Sequence, residues 1–204
     1  MQRKQILFVS GGLTFKDNQQ AIEYYKNKDI DEVWDSKSWR EWLFWSLENQ
    51  ADLVNVKMPM KDSADYEVWK IIFEKYFVKL NSNELVLIGY SLGTIFLMKY
   101  LLENGFSKKI KQLHLVAPIV GNEFQPATDT ENTGTFTFDY QNISQLEKYC
   151  EEIYIWHSKD DAMCSFKNAQ YINENLPKSI LQTFENRGHF FQSTFFELFD
   201  VLRK

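Results

Sequence analysis

At 204 residues, 44% hydrophobic and 25% charged, the chain can bury a sizeable core in one domain and has the composition of an ordinary soluble globular protein. A net charge of -5 leaves little basic surface to neutralise phosphate, which argues against nucleic acid or an anionic membrane as a partner; the basic cluster Lys108, Lys109 and Lys111 reads as a solvated helix end. Two cysteines, Cys150 and Cys164, exclude a disulfide framework.

The N-terminus has charge and then a short apolar run, Ile6–Val9, too brief for a signal-peptide core; it reads as a first strand, Gln5–Val9. No run approaches transmembrane length, so a cytoplasmic location is the default expectation. Ser38-Trp39-Arg40-Glu41 is a capping box opening a helix that runs to about Asn49. After a strand at Leu53–Val56, the segment Asp65–Leu80 puts Val68, Ile72, Tyr76 and Leu80 on one helical face. A strand at Leu85–Ile88 leads into Leu92–Leu102, which is apolar nearly all round and so predicts a central buried helix. Leu113–Ala117 is the next strand, Ser144 to Glu147 a second capping box, and Ile153–Trp156 the strand after it. Phe166, Ala169, Ile172 and Leu176 form a helical stripe that Pro177 ends. Ile180–Phe184 is the last strand, and Thr194 to Glu197 a third capping box before Leu198, Phe199 and Leu202.

The strands are short and apolar without alternation, as in strands buried on both faces. Strands alternating with helices this regularly predict one α/β domain over residues 1–204: a mostly parallel sheet of about six strands with helices on both faces. In such folds functional groups gather at the carboxyl edge of the sheet.

Gly89-Tyr90-Ser91-Leu92-Gly93 is a G-x-S-x-G pattern lying between a strand and a helix. A tight turn there exposes the serine hydroxyl above the sheet, and the helix N-terminus adds positive partial charge beside it. A serine hydroxyl needs a neighbouring base near neutral pH. Of the three histidines, His114 lies mid-strand among apolar residues and reads as a core histidine. His157 ends a strand but stands four residues before Asp161, where it shapes the loop. His189 follows the last strand and suits the chain order Ser, acid, His. The acid then falls at Asp160 or Asp161, at the end of the Ile153–Trp156 strand; Asp129 and Asp139 lie in a polar loop with no strand behind them. An oxyanion site needs two backbone N–H groups, for which Leu92 and Gly12 are the candidates. Tyr90, Met163 and Phe190 flank these positions as possible pocket residues, or as packing residues.

At these residues the chain resembles the small serine hydrolases related to retinoblastoma-binding protein 9, a branch of the α/β-hydrolase superfamily. The resemblance covers the Ile6–Gly12 start, the Trp34–Leu47 region, the Ser91 turn and the Asp160-Asp161 loop. It is most specific at Gly188-His189-Phe190, followed by Gln192, Thr194, Phe195, Glu197 and Leu198. Cys164 and Ser165 depart from the family's apolar-then-proline pattern. The resemblance implies Ser91, Asp161 and His189 as a triad, Asp161 being the second acid of the pair. It implies a compact fold without a lid domain, and hydrolysis of small esters or amides. It also makes Val120–Asn142 an excursion beside the site, whose polar content (Asn122, Asp129, Glu131, Asn132) predicts mobility.

The expected partner is thus a small-molecule ester or amide, with no membrane or nucleic acid. The rival reading is a protein-binding module on a hydrolase fold, since fold alone does not fix function. No H-E-x-x-H or Cys-x-x-Cys spacing occurs, so neither a metal nor another cofactor is expected.

Overall fold

The computed structural model describes residues 3–27, 38–124 and 133–204. The strands are β1 (Lys4–Val9), β2 (Ala51–Val56), β3 (Leu85–Tyr90), β4 (Ile110–Val116), β5 (Cys150–Ser158) and β6 (Ile180–Phe184). They form one parallel sheet in the order β2-β1-β3-β4-β5-β6. The helices are α1 (Asn18–Asn27), α2 (Trp39–Leu47), α3 (Tyr66–Phe77), α4 (Leu92–Asn104), α5 (Phe166–Asn175) and α6 (Phe196–Leu202).

Side-chain alternation along the strands splits the core into two layers. Leu7, Val9, Leu85 and Leu87 face α3, α4 and α5 through Trp69, Phe73, Phe96 and Ile172. Ile6, Phe8, Val86 and Ile88 face α2 and α6 through Trp39, Leu43, Leu198 and Leu202. β3 is buried along its whole length, as expected for a central strand. The edge strands differ from the sequence reading: β2 and β6 are only partly buried, with Asp52, Asn55, Gln182 and Thr183 exposed and Ile180 40% exposed.

Two of the three capping boxes also differ. Ser38 does cap α2, accepting from the Glu41 N–H. Ser144, however, lies inside a 3₁₀ segment, Tyr140–Lys148, that Asp139 opens by accepting from the Gln141 N–H at 3.1 Å. α6 begins at Phe196 with no side-chain cap, and Glu197 instead pairs with Arg187 at 2.6 Å. The described part of the Val120–Asn142 excursion is anchored rather than loose. Phe136 is fully buried against Trp69, Lys99 Nζ donates to the Thr135 and Thr137 carbonyls, and Val120 N–H donates to Asn168 Oδ1. Asp129, Glu131 and Asn132 lie outside the described residues.

His114 is the core histidine its sequence setting predicts. Its Nδ1 accepts from Trp156 Nε1 at 3.2 Å and its ring stacks on Tyr154 at 4.9 Å, so the proton sits on Nε2, facing Gln112 Oε1. Burial, then the charge of Lys4, presses its pKa down to about 3. Unfolded, the same imidazole takes up a proton below roughly pH 6.5. Between those values only the unfolded chain binds the proton, so stability falls as pH drops through that window, by about 5 kcal/mol over its whole width. Denaturant midpoints measured from pH 7 down to 4 should fall less steeply in His114→Gln than in the wild type. Equal slopes would remove His114 as the cause.

Candidate active site

The turn from β3 into α4 places Ser91 at the carboxyl edge of the sheet with φ 53° and ψ -124°. That is a left-handed φ for a residue with a Cβ, which costs on the order of 1–3 kcal/mol and has to be held by its surroundings. The hold is visible. Ser91 N–H donates to the Val116 carbonyl at 2.9 Å, and the Ser91 carbonyl accepts from Thr94 N–H at 2.8 Å and Thr94 Oγ1 at 2.7 Å. Glycines flank the turn because nothing larger fits. A Cβ on Gly89 would lie 2.8 Å from the Gly93 carbonyl oxygen, and one on Gly93 would lie 2.2 Å from the Val9 carbonyl oxygen.

The two neighbouring acids after β5 do different things. Asp161 turns inward: Oδ1 accepts from the Met163 and Cys164 N–H groups, each at 2.9 Å, and Oδ2 accepts from His189 Nδ1 at 2.9 Å. Burial alone would push its carboxyl up, but the hydrogen bond and charge of His189, with the Cys164 N–H, hold it below its ordinary value. Asp160 faces solvent and accepts from Ser158 Oγ and, at 2.9 Å, from the Gly188 N–H. Ser158 Oγ in turn accepts from the Arg187 N–H at 2.9 Å. Asp160 and Ser158 therefore fasten the end of β5 to the loop that carries His189, while Asp161 meets the imidazole.

A further contact brings that loop to the turn. Tyr90, the residue before Ser91, donates its hydroxyl to the His189 carbonyl at 2.6 Å, and the two rings lie 5.2 Å apart. His189 is 4% exposed and Asp161 7% exposed, so the acid–imidazole pair sits largely out of water. His157 is buried beneath them. Its Nε2 lies 2.9 Å from the Cys164 carbonyl oxygen and 3.7 Å from Asp161 Oδ2, closing the loop that positions the acid. Burial holds His157 below its ordinary pKa and so neutral. Asp139, the other described acid between Ser91 and His189 in a polar loop, is occupied as a helix cap.

Of the residues flanking the site, Tyr90 and Phe190 pack in the core layer that faces α2 and α6. Phe190 is 1% exposed and sits against Phe184 and Phe195. Met163 is half-buried. The aromatic beside the imidazole that does reach solvent is Phe191, 71% exposed with its ring 5.6 Å from that of His189. The signal for it was the adjacent Phe190-Phe191 pair: two neighbouring aromatics in a turn rarely both enter one core. Gly11 is the residue that touches the turn, since a Cβ there would lie 2.9 Å from Ser91 Cβ; Gly12 lies next to it against the Lys61 carbonyl, Trp69 and Leu92.

Donor atoms of Asp161, Cys164 and His189 lie within 4.8 Å of one another. Both carboxylate oxygens already accept hydrogen bonds, so this closeness follows from the acid–imidazole pair and needs no cation to explain it. A hollow of about 610 Å³ lined by Lys4, Ala51, Glu84 and Leu202 lies at the amino ends of the strands, across the sheet from Ser91.

Residues 30–201 match the family model described as serine hydrolase. The chain belongs to the serine hydrolase family. Solved structures of other proteins share its fold. The ydeN gene product of B. subtilis aligns over 98% of this chain and 96% of its own, with TM-score 0.71 and 21% identity. The esterase EaEST from Exiguobacterium antarcticum aligns over 99% and 91%, with TM-score 0.60 and 18% identity. The esterase RhEst1 from Rhodococcus sp. aligns over 98% and 89%, with TM-score 0.64 and 14% identity. A search of curated proteins found no match. This serine hydrolase thus has an α/β-hydrolase fold, and among its described residues no helix is long and apolar enough to cross a membrane.

Proposed function

We propose that this serine hydrolase cleaves small esters or amides through an acyl-enzyme on Ser91, with His189 as base and Asp161 as the acid that orients it. The observation that carries the reading is the buried 2.9 Å hydrogen bond from His189 Nδ1 to Asp161 Oδ2, on a loop that Tyr90 fastens beside Ser91. With Nδ1 committed to the acid, Nε2 is the nitrogen that takes the Ser91 proton. Ser91 Oγ then attacks the acyl carbonyl, and the oxygen of the tetrahedral intermediate carries the negative charge.

Two backbone donors suit that charge. Leu92 is the first residue of α4, where N–H groups have no acceptor within the helix and the helix dipole is positive. Gly12 follows the glycine that packs on Ser91 and is the second donor. The His189 imidazolium returns its proton to the departing alcohol or amine. Water, activated by the same imidazole, then releases the acid and restores Ser91.

A fluorophosphonate probe tests this directly. The folded wild-type protein should take up one probe, mapped by mass spectrometry to Ser91, and Ser91→Ala should take up none. Folded wild type that stays unlabelled would sink the reading.

A further inference from the structure

Two cations beside the site have no part in that chemistry. Lys61 lies in the loop after β2, and its ammonium donates to Ser10 Oγ. Ser10 is 4% exposed and immediately precedes Gly11, the residue in contact with Ser91. The Lys61 main chain is fixed as well, its carbonyl accepting from the Leu13 N–H at 2.6 Å. Arg40, in the first turn of α2, sets its guanidinium 5.4 Å from the centre of the Tyr90 ring, whose hydroxyl holds the His189 loop. One cation therefore reaches the site through the β1 loop and the other through the residue before Ser91.

The two charges feel one another. Burial first, then the Arg40 charge, depresses the Lys61 ammonium, and the exposed Asp62 opposes this more weakly. Among the described residues no carboxylate lies within ion-pair distance of either cation. Two like charges near one another repel, and an anion that meets both relieves the repulsion. Two cations beside the site favour anions locally in a chain whose overall charge is -5.

We propose that Arg40 and Lys61 bind an anionic group of the substrate, so that the Ser91 site prefers esters carrying a carboxylate away from the scissile bond, such as half-esters of dicarboxylic acids. This rests on the serine-hydrolase reading of Ser91. Arginine offers a planar fork that matches a carboxylate, and lysine keeps donors to spare after bonding one hydroxyl. The preference acts mainly on capture, so it appears in kcat/KM and weakens with salt.

The test compares mono-p-nitrophenyl glutarate with its methyl ester, which matches the chain but lacks the charge. At low ionic strength kcat/KM for the half-ester should exceed that for the methyl ester by about tenfold, roughly threefold from each of two partly exposed charge contacts. Arg40→Gln and Lys61→Gln should each bring that ratio down by about threefold or more. A wild-type ratio at or below one, with Ser91 still labelled by the phosphonate, overturns the inference and leaves the hydrolase reading standing. A high ratio that neither substitution moves overturns the assignment to Arg40 and Lys61. Loss of labelling in the wild type removes the hydrolase reading and the inference with it.

Discussion

Asp161→Asn should lower kcat on an activated ester by about 10³- to 10⁴-fold while the protein remains folded. The reason lies in how the carboxylate is shared. Oδ1 accepts from two backbone N–H groups, those of Met163 and Cys164, and Oδ2 accepts from His189 Nδ1. Asparagine has one acceptor and one donor end. Its oxygen is drawn to the site with two fixed N–H donors, because an NH₂ there would face both of them. The amide NH₂ must then face His189 Nδ1, which can meet it only by shedding its proton. The imidazole moves to the Nε2–H tautomer, and the nitrogen meant for the Ser91 proton already carries one. Volume and burial barely change, so thermal stability should move far less than activity. Steady-state kinetics on p-nitrophenyl acetate, with a melting curve beside it, separates the two effects. An Asn variant that keeps activity within about tenfold of wild type would count against Asp161 as the orienting acid. Asp160→Asn is the contrasting change, since its carboxylate meets the Ser158 hydroxyl and the Gly188 N–H rather than the imidazole.

This division of labour between neighbours was beyond the reach of residue types alone. Position in the chain narrows the acid to the Asp160-Asp161 pair. Which of them meets the imidazole depends on where Gly188, Met163 and Cys164 aim their N–H groups, and that is fixed only when β5 and the loop after β6 come together. The same contrast separates the capping boxes. Ser38 caps because its helix starts there, whereas at Thr194 the equivalent Glu197 is taken by Arg187, ten residues back in the chain. α1 has no buried residue and so no apolar stripe to betray it. What could be read was what local physics dictates: six apolar runs, the order of serine, acid and histidine, and glycines at both ends of the Ser91 turn. The burial of β2 and β6 was overstated because an apolar edge strand and a central one look alike until the strand order is known.

The glycine after that turn carries the other large effect. Gly93→Ala should destabilise the protein by about 3 kcal/mol or more and suppress phosphonate labelling of whatever folded protein remains. A Cβ at position 93 would stand 2.2 Å from the Val9 carbonyl oxygen, 2.9 Å from the Val9 carbonyl carbon and 3.0 Å from the Ser10 carbonyl oxygen. All three are backbone atoms, and β1 cannot step aside. It is hydrogen-bonded on both edges, with Val9 in register with Val56 on one side and Gly89 on the other. Relief must come from lifting α4 or from pushing the Ser10–Gly12 loop outward. The first unseats the Ser91 carbonyl from Thr94, and the second moves Gly12 away from the charge it is proposed to hold. Gly121→Ala is the matched control. A Cβ there meets only the carboxylate end of Glu123, an exposed side chain that can swing clear, so its cost should be well under that of Gly93→Ala. Urea midpoints for both variants give the comparison. If Gly93→Ala unfolded at the same urea concentration as Gly121→Ala, the close seating of α4 on β1 could not be what holds Ser91 in its left-handed conformation.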